Sequence, residues 1–181
     1  MSKRALILLH SGFEEIEAVT PIDLLSRTGV EVVQAALDDT LLVAGRSGIT
    51  LQATHRLIDV ADELFDAIIL PGGPGIMQIR KHSLICRLLQ QQHAAGRLIG
   101  CICAAPLLLL DANLHTDLRY TCHPAAEDEL TESLAATVVQ DGTIITSRGA
   151  GTATEFALQL VRQLTDQTTA NTIANSICWI D

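Results

Sequence analysis

The sequence predicts a single-domain α/β sandwich on a mostly parallel sheet, and three observations carry that reading. Short apolar runs alternate along the chain with segments of helical periodicity, as they do where crossover helices join parallel strands. Three of those runs end in segments built for turns or polar contacts: residues 10–17, Gly72-Gly73 and Cys103-Ala104-Ala105. Open α/β sheets bind ligands beyond the carboxyl ends of their strands. Residues 1–181 show no internal repeat, low-complexity tract or linker, and that length buries one substantial core.

The elements follow in order. Residues 5–9 are apolar throughout and read as a buried strand, and residues 14–28 as a helix stopped by Gly29. Residues 30–36 are apolar and rich in β-branched side chains. Residues 41–43 and 49–51 flank Gly45 and Gly48 like a short hairpin. Residues 67–70 make a third core strand, running into Pro71-Gly72-Gly73-Pro74-Gly75. Residues 83–95 are amphipathic, with Leu84, Leu88 and Leu89 on one face and Gly96 as the stop. Residues 98–110 read as a buried strand that turns at Cys103 into a buried helix. Gly100, Ala104 and Ala105 leave the backbone room, and Pro106 suits a first helical turn. Residues 137–139 and 143–147 add strands, and residues 152–164 a helix with Phe156, Leu160 and Leu164 in one stripe.

Composition narrows the function. Hydrophobic residues make up 48 % of the chain and aromatics 3 %, so Leu, Ile, Val and Ala build the core. A formal net charge of −9 argues against nucleic-acid partners, which need a basic face. The apolar run at 98–110 falls short of the roughly 18 residues of a membrane span and carries a proline. Lys3 and Arg4 precede an apolar stretch, but His10, Glu14 and Glu15 follow too soon for a signal peptide. A cytoplasmic protein is expected. Cys86, Cys101, Cys103, Cys122 and Cys178 are odd in number and form no C-x-x-C pair, which disfavours a disulfide framework or a zinc site. Cys101 and Cys103, two apart on a presumed strand, are expected to point the same way about 6–7 Å apart, a poor bridging geometry.

Cys103 has two readings. On a strand-to-helix elbow the positive end of the helix dipole would lower its pKa from about 8.5 to between roughly 3.5 and 7.5, giving a reactive thiolate. Alternatively it is one more small buried hydrophobe. Glu14, Glu15 and Glu17 form either a solvated, dipole-favoured helix start or a source of one inward carboxyl, Glu17, aimed at Cys103. If the helix runs through Pro21, the carbonyl of Glu17 loses its usual donor. Gly72-Gly73 is a generic turn or an oxyanion loop, with the amides of Gly73 and Ala104 as donors. His10, His55, His82, His93 and His115 have no evident partner and read as surface residues.

Taken in register, these segments resemble the ThiJ/PfpI superfamily and, within it, the DJ-one (Parkinson-disease-protein) branch. The resemblance runs through Lys3-Arg4-Ala5-Leu6, Gly12-Phe13-Glu14-Glu15-Ile16-Glu17, Leu70-Pro71-Gly72-Gly73 and Ile102-Cys103-Ala104-Ala105-Pro106. It continues through Cys122-His123-Pro124 and Thr146-Ser147-Arg148-Gly149-Ala150-Gly151-Thr152. It implies a flavodoxin-like three-layer sandwich, a homodimer, and a site of Cys103, Glu17 and His123 with the Gly73 and Ala104 amides nearby. It also implies chemistry without cofactor or metal on small reactive carbonyls, as a glutathione-independent glyoxalase or a protein deglycase, with a role in oxidative-stress protection. His123 enters through the resemblance alone, and Glu17 is the preferred general base. Beside a thiolate, Glu17 should have a raised pKa, because two close anions ionise together only at a cost. The other reading is a redox sensor or chaperone-like protector in which Cys103 is oxidised to a sulfinate. Ala104, where protease-like members carry histidine, argues against peptidase activity. Ala150 stands where the late turn usually has proline, which loosens that turn. Cys101 and Cys122 match no family motif; Cys122 is a resolving thiol or an inert core residue.

Overall fold

Which way each apolar residue points decides the layers. The computed structural model describes residues 2–180. Its strands are β1 (Arg4–Leu9), β2 (Glu31–Ala36), β3 (Leu42–Ala44), β4 (Thr50–Gln52), β5 (His55–Arg56), β6 (Ala67–Leu70), β7 (Leu98–Ile102), β8 (Val138–Asp141) and β9 (Ile144–Ser147). Its helices are α1 (Glu15–Ser26), α2 (Leu57–Val60), α3 (Ser83–Ala94), α4 (Pro106–Asp111), α5 (Ala153–Leu164) and α6 (Gln167–Ser176). Seven strands form one sheet in the order β5-β2-β1-β6-β7-β9-β8. All its pairings are parallel except β8 with β9. Strands β3 and β4 make a separate antiparallel hairpin.

Successive side chains of a strand face opposite ways, so both faces of the sheet must be covered. Leu6 and Leu8 pack into one core with Ile85, Leu88 and Leu89 of α3 and Leu107 to Leu109 of α4. Ala5, Ile7 and Leu9 pack into the other, with Ala18, Leu24 and Leu25 of α1 and Phe156, Leu160 and Val161 of α5. This is the expected three-layer sandwich in a single domain. Gly100 belongs to the packing: a Cβ there would lie 2.9 Å from Cζ of Phe156.

The expected elements are present with shifted ends. The hairpin strands each lie one residue later, and the strand expected at 137–139 runs from Val138 to Asp141, antiparallel to β9. The sequence reading missed β5, α2 and α6. Helix α6 buries only Ala170 and Ile173, too thin a stripe to read, although Asp166 caps it by accepting the Thr169 amide at 2.8 Å. The helix after Cys103 starts only at Pro106 and lasts six residues. An unanticipated ion pair holds its end, with Arg80 donating to Asp111 at 2.6 and 2.8 Å and to Glu129 at 2.8 Å. No helix among the described residues is long and apolar enough to cross a membrane.

From β1 the chain passes outward to β2 and then returns to β6 on the other side. The loops that follow β1 and β6 therefore flank a topological switch point, where such sheets hold their ligands. The turn after β7 lies beside them.

Candidate active site

Glycines let these loops interlock. The Gly12 N–H donates to Ala44 at 2.8 Å, Glu14 to Gly72 at 3.0 Å and Gly75 to Gly12 at 3.2 Å. Gly73 has a φ of 103°, and a Cβ on it would lie 2.5 Å from the Gly12 carbonyl oxygen. At Gly72 a Cβ would lie 2.7 Å from Cβ of Cys103 and 2.9 Å from N of Ala104, so only glycine lets this loop touch the elbow. Gly72→Ala is therefore expected to destabilise the protein by about 1–3 kcal/mol and to slow alkylation of Cys103. Urea unfolding and site-resolved iodoacetamide labelling would measure both, and unchanged values would show that the contact yields freely.

Strand β7 stops at Ile102, and Cys103 adopts φ 65°, a left-handed conformation that costs a non-glycine residue roughly 1–2 kcal/mol. Two bonds hold it there. Its amide donates to Ser147 at 2.9 Å, and its carbonyl accepts the His123 amide at 2.9 Å. The turn overturns the expectation that Cys101 and Cys103 point the same way. Cys101 lies in the core with α3 and α4, together with Cys122, whereas Cys103 packs against the core with α1 and α5.

Helix α1 brings Glu17 to the elbow. Glu14 caps the helix, its carboxylate accepting the Glu17 amide at 2.9 Å. Glu17 itself is 1 % exposed, and its Oε2 accepts the Gly72 N–H at 2.8 Å. Its Oε1 is buried without a hydrogen-bond partner, and the Cys103 thiol acts on the carboxyl as a whole. Glu15 is buried too, accepting the Ser47 amide at 2.7 Å. The reading of this cluster as a solvated helix start thus fails for Glu15 and Glu17.

Burial pushes the Glu17 carboxyl up to about 7, against the Gly72 amide, the Cys103 thiol and the Arg46 charge, with Glu14 adding to the rise. The expected direction for Glu17 is met. For Cys103 it is reversed: burial first, then the Glu17 charge, pushes the thiol up to about 12, although the Gly73 and Ala104 amides pull it down. A six-residue helix behind a three-residue turn supplies too little dipole to outweigh that burial. The two acids titrate as a pair. A thiolate forms here most cheaply when Glu17 keeps its proton.

His123 follows on the loop before a short 3-10 turn (Pro124–Ala126). Its ring is exposed, and its Nδ1 accepts the Ala125 amide at 3.1 Å, so a neutral ring carries its proton on Nε2. Glu17 and Cys103 are thus neighbours, and His123 joins them through its backbone bond to Cys103. In the late turn, Oγ1 of Thr152 accepts the Gly149 amide at 3.1 Å and meets Oγ of Ser147 at 2.6 Å, closing the segment around Ala150.

His55, His82 and His93 are exposed as expected, and His115 is half-buried. His10 is not a surface residue: it is 1 % exposed, with its ring nitrogens against the Ser11 and Pro71 carbonyls. A histidine ending an otherwise wholly apolar strand was the signal that the sequence offered. Two surface hollows of about 510 and 520 Å³ are lined by other residues, the first between α5 and α6 beside Trp179. Among the described residues no three His, Cys, Asp or Glu side chains gather to hold a metal ion.

The DJ-1/PfpI family profile matches residues 3–163. The chain belongs to this family. It is 41 % identical over 167 residues to the glutathione-independent glyoxalase DJR-1.2 of Caenorhabditis elegans, covering 90 % of this chain and 89 % of that protein. It is 37 % identical over 169 residues to protein dj-1beta of Drosophila melanogaster, covering 91 % and 90 %. The crystal structure of Drosophila melanogaster DJ-1beta superimposes with a TM-score of 0.95, covering all of both chains at 34 % identity. Oxidized Toxoplasma gondii DJ-1 gives 0.94 at 32 % identity, covering 99 % and 100 %. These neighbours share the flavodoxin-like sandwich described above.

Proposed function

We propose that this DJ-1/PfpI protein is a cofactor-independent, Cys103-dependent glyoxalase that converts small 2-oxoaldehydes such as methylglyoxal into hydroxyacids. The observation that carries the reading is a strained cysteine on an elbow that the Gly72-Gly73 loop touches, with a buried carboxyl raised to about 7 beside it. The 41 % identity to a named glutathione-independent glyoxalase supports the substrate class. Deglycation of early carbonyl adducts on proteins would use the same first step.

In this mechanism the Cys103 thiolate adds to the aldehyde carbon, and the carbonyl electron pair becomes an alkoxide facing the Gly73 and Ala104 amides. Protonated Glu17 gives its proton to that alkoxide. Now a carboxylate, it takes the proton from the same carbon and returns it to the neighbouring one while the hydroxyl proton passes to the neighbouring oxygen, leaving a thioester. Water cleaves the thioester, releasing lactate and the thiol. His123, with Nε2–H directed away from its Ala125 contact, is the alternative proton carrier. The test is lactate production from methylglyoxal without glutathione or metal, in the parent and in Cys103→Ser.

A second reading rests on the relative solved in oxidized form. Peroxide would oxidise the Cys103 thiolate to sulfenate and then sulfinate, each step releasing water, with protonated Glu17 donating to the new oxygen. Stoichiometric sulfinate at Cys103 without lactate turnover would favour this sensor role in the cytoplasm.

The protein is also proposed to act as a homodimer. Ile16 and Val19 on α1 are 54 % and 41 % exposed, and Leu42 and Ile49 of the adjoining hairpin are 61 % and 55 % exposed, an apolar surface on elements next to the site. Gel filtration is expected at twice the 19.4 kDa chain mass, with Ile16→Glu shifting it toward monomer. A parent that elutes as a monomer at micromolar concentration would remove this assignment.

A further inference from the structure

Strand β1 is apolar from Ala5 to Leu9 and then delivers His10 into the interior, 1 % exposed. A buried imidazole needs partners, and this one meets two acceptors. Nδ1 lies 3.2 Å from the Ser11 carbonyl oxygen, and Nε2 lies 3.3 Å from that of Pro71. A neutral ring has one N–H to give. Ser11 is the next residue in the chain, whereas Pro71 is 61 positions away, on the loop after β6. Gly75 makes the space, since a Cβ there would lie 2.7 Å from Nδ1 of His10.

The Pro71 carbonyl and the Gly72 N–H belong to the same peptide unit. That N–H donates to Oε2 of Glu17 at 2.8 Å. A donor on the carbonyl side polarises the amide and strengthens what its N–H gives, by roughly 10–30 % per bond. The contacts therefore run unbroken from His10, through one peptide group, to the carboxyl beside Cys103.

We infer that His10 donates Nε2–H to the Pro71 carbonyl and is a positioning residue, holding and polarising the Pro71–Gly72 peptide that binds the Glu17 carboxylate. The inference rests on Cys103 and Glu17 being the reacting pair. Glu14 and Arg46, the other charges acting on Glu17, and Asp38, the charge acting on His10, are untouched by the substitutions below.

The experiment is the pH profile of Cys103 alkylation by iodoacetamide, read at that residue by peptide mass spectrometry. The reactive form is thiolate with Glu17 protonated, so reactivity rises with pH and levels off where Glu17 loses its proton. In His10→Ala the weakened amide should move that inflection up by about half a pH unit and raise the plateau roughly threefold, leaving the low-pH limb unchanged. His10→Gln, which restores an amide donor near the Nε2 position, should return the profile to the parent's. In a Glu17→Gln background, His10→Ala should change nothing. A purely structural role would instead lower the low-pH limb, by misplacing the Gly73 and Ala104 amides.

An unmoved inflection in His10→Ala, or a changed profile in the Glu17→Gln background, would overturn the inference. A parent profile lacking the inflection would remove the pair itself, and this inference with it. Alkylation needs no turnover, so failure of the glyoxalase reading is told apart by the lactate assay. Should His10→Ala not fold, 15N NMR of the parent's imidazole decides: a proton on Nε2 supports the inference, and a bare Nε2 overturns it.

Discussion

Cys103→Ser is expected to lower lactate formation from methylglyoxal by at least about 10³-fold while changing stability by about 1 kcal/mol or less. The asymmetry follows from the site. The amide of residue 103 donates to Ser147, and its carbonyl accepts from His123. Both contacts are backbone ones, and serine keeps them. What serine loses is the nucleophile. Even with Glu17 beside it, a hydroxyl holds its proton far more tightly than a thiol, and the site offers no Ser–His pair to activate it. The Gly73 and Ala104 amides would still bind an oxyanion, but no covalent intermediate would form beneath them. Lactate detection and urea unfolding on the same preparation measure both halves. Retained turnover would move the chemistry to another residue.

Glu17→Gln is expected to cut turnover by about 10²–10⁴-fold, and by more than His123→Ala, whose ring already commits Nδ1 to Ala125. The same substitution should make the protein more stable in alkaline solution. The folded protein raises the Glu17 carboxyl from 4.5 to about 7, so folding favours the protonated acid. Its contribution is complete below about pH 4.5 and is lost as pH rises through 7, worth on the order of 3 kcal/mol by pH 8. Glutamine does not titrate. The parent should therefore lose stability between pH 4.5 and 8 that Glu17→Gln retains, with the two close together at the acid end. Urea midpoints at those two pH values decide the matter, and parallel losses in both proteins would show that the carboxyl is not strained by burial. In the proposed mechanism Glu17 would drive the reaction while weakening the fold in its ionised state, the usual opposition of activity and stability.

The fold was legible because a doubly covered parallel sheet needs strands apolar on both faces, and the runs ending at Leu9, Leu70 and Ile102 have that character. The elbow was legible too, since Ala104, Ala105 and Pro106 suit a cramped turn into a helix, whereas Gly100 serves the packing against Phe156 instead. Protonation was not. Whether Cys103 is raised or lowered depends on how deeply α1 and the Gly72 loop cover it, a balance set mainly by residues thirty or more positions away in the chain. The acids at 14, 15 and 17 look alike in sequence, and the hairpin at Gly45 to Ile49 decides that Glu15 turns inward to Ser47. Helix α6 escaped because the stripe it buries is only Ala170 and Ile173.

The separation of the sulfurs between two cores governs how this site ages. Cys101 and Cys122 sit in the layer across the sheet from the one that Cys103 joins, and a disulfide requires side chains that point at each other. An oxidised Cys103 would therefore not be rescued by Cys101 or Cys122. Restoration falls to small thiols or reductases that reach the surface, and beyond the sulfenate to replacement of the whole molecule. Under the sensor reading the site would behave as a fuse rather than a reset switch: each chain would register one heavy oxidative insult, and the population would keep count.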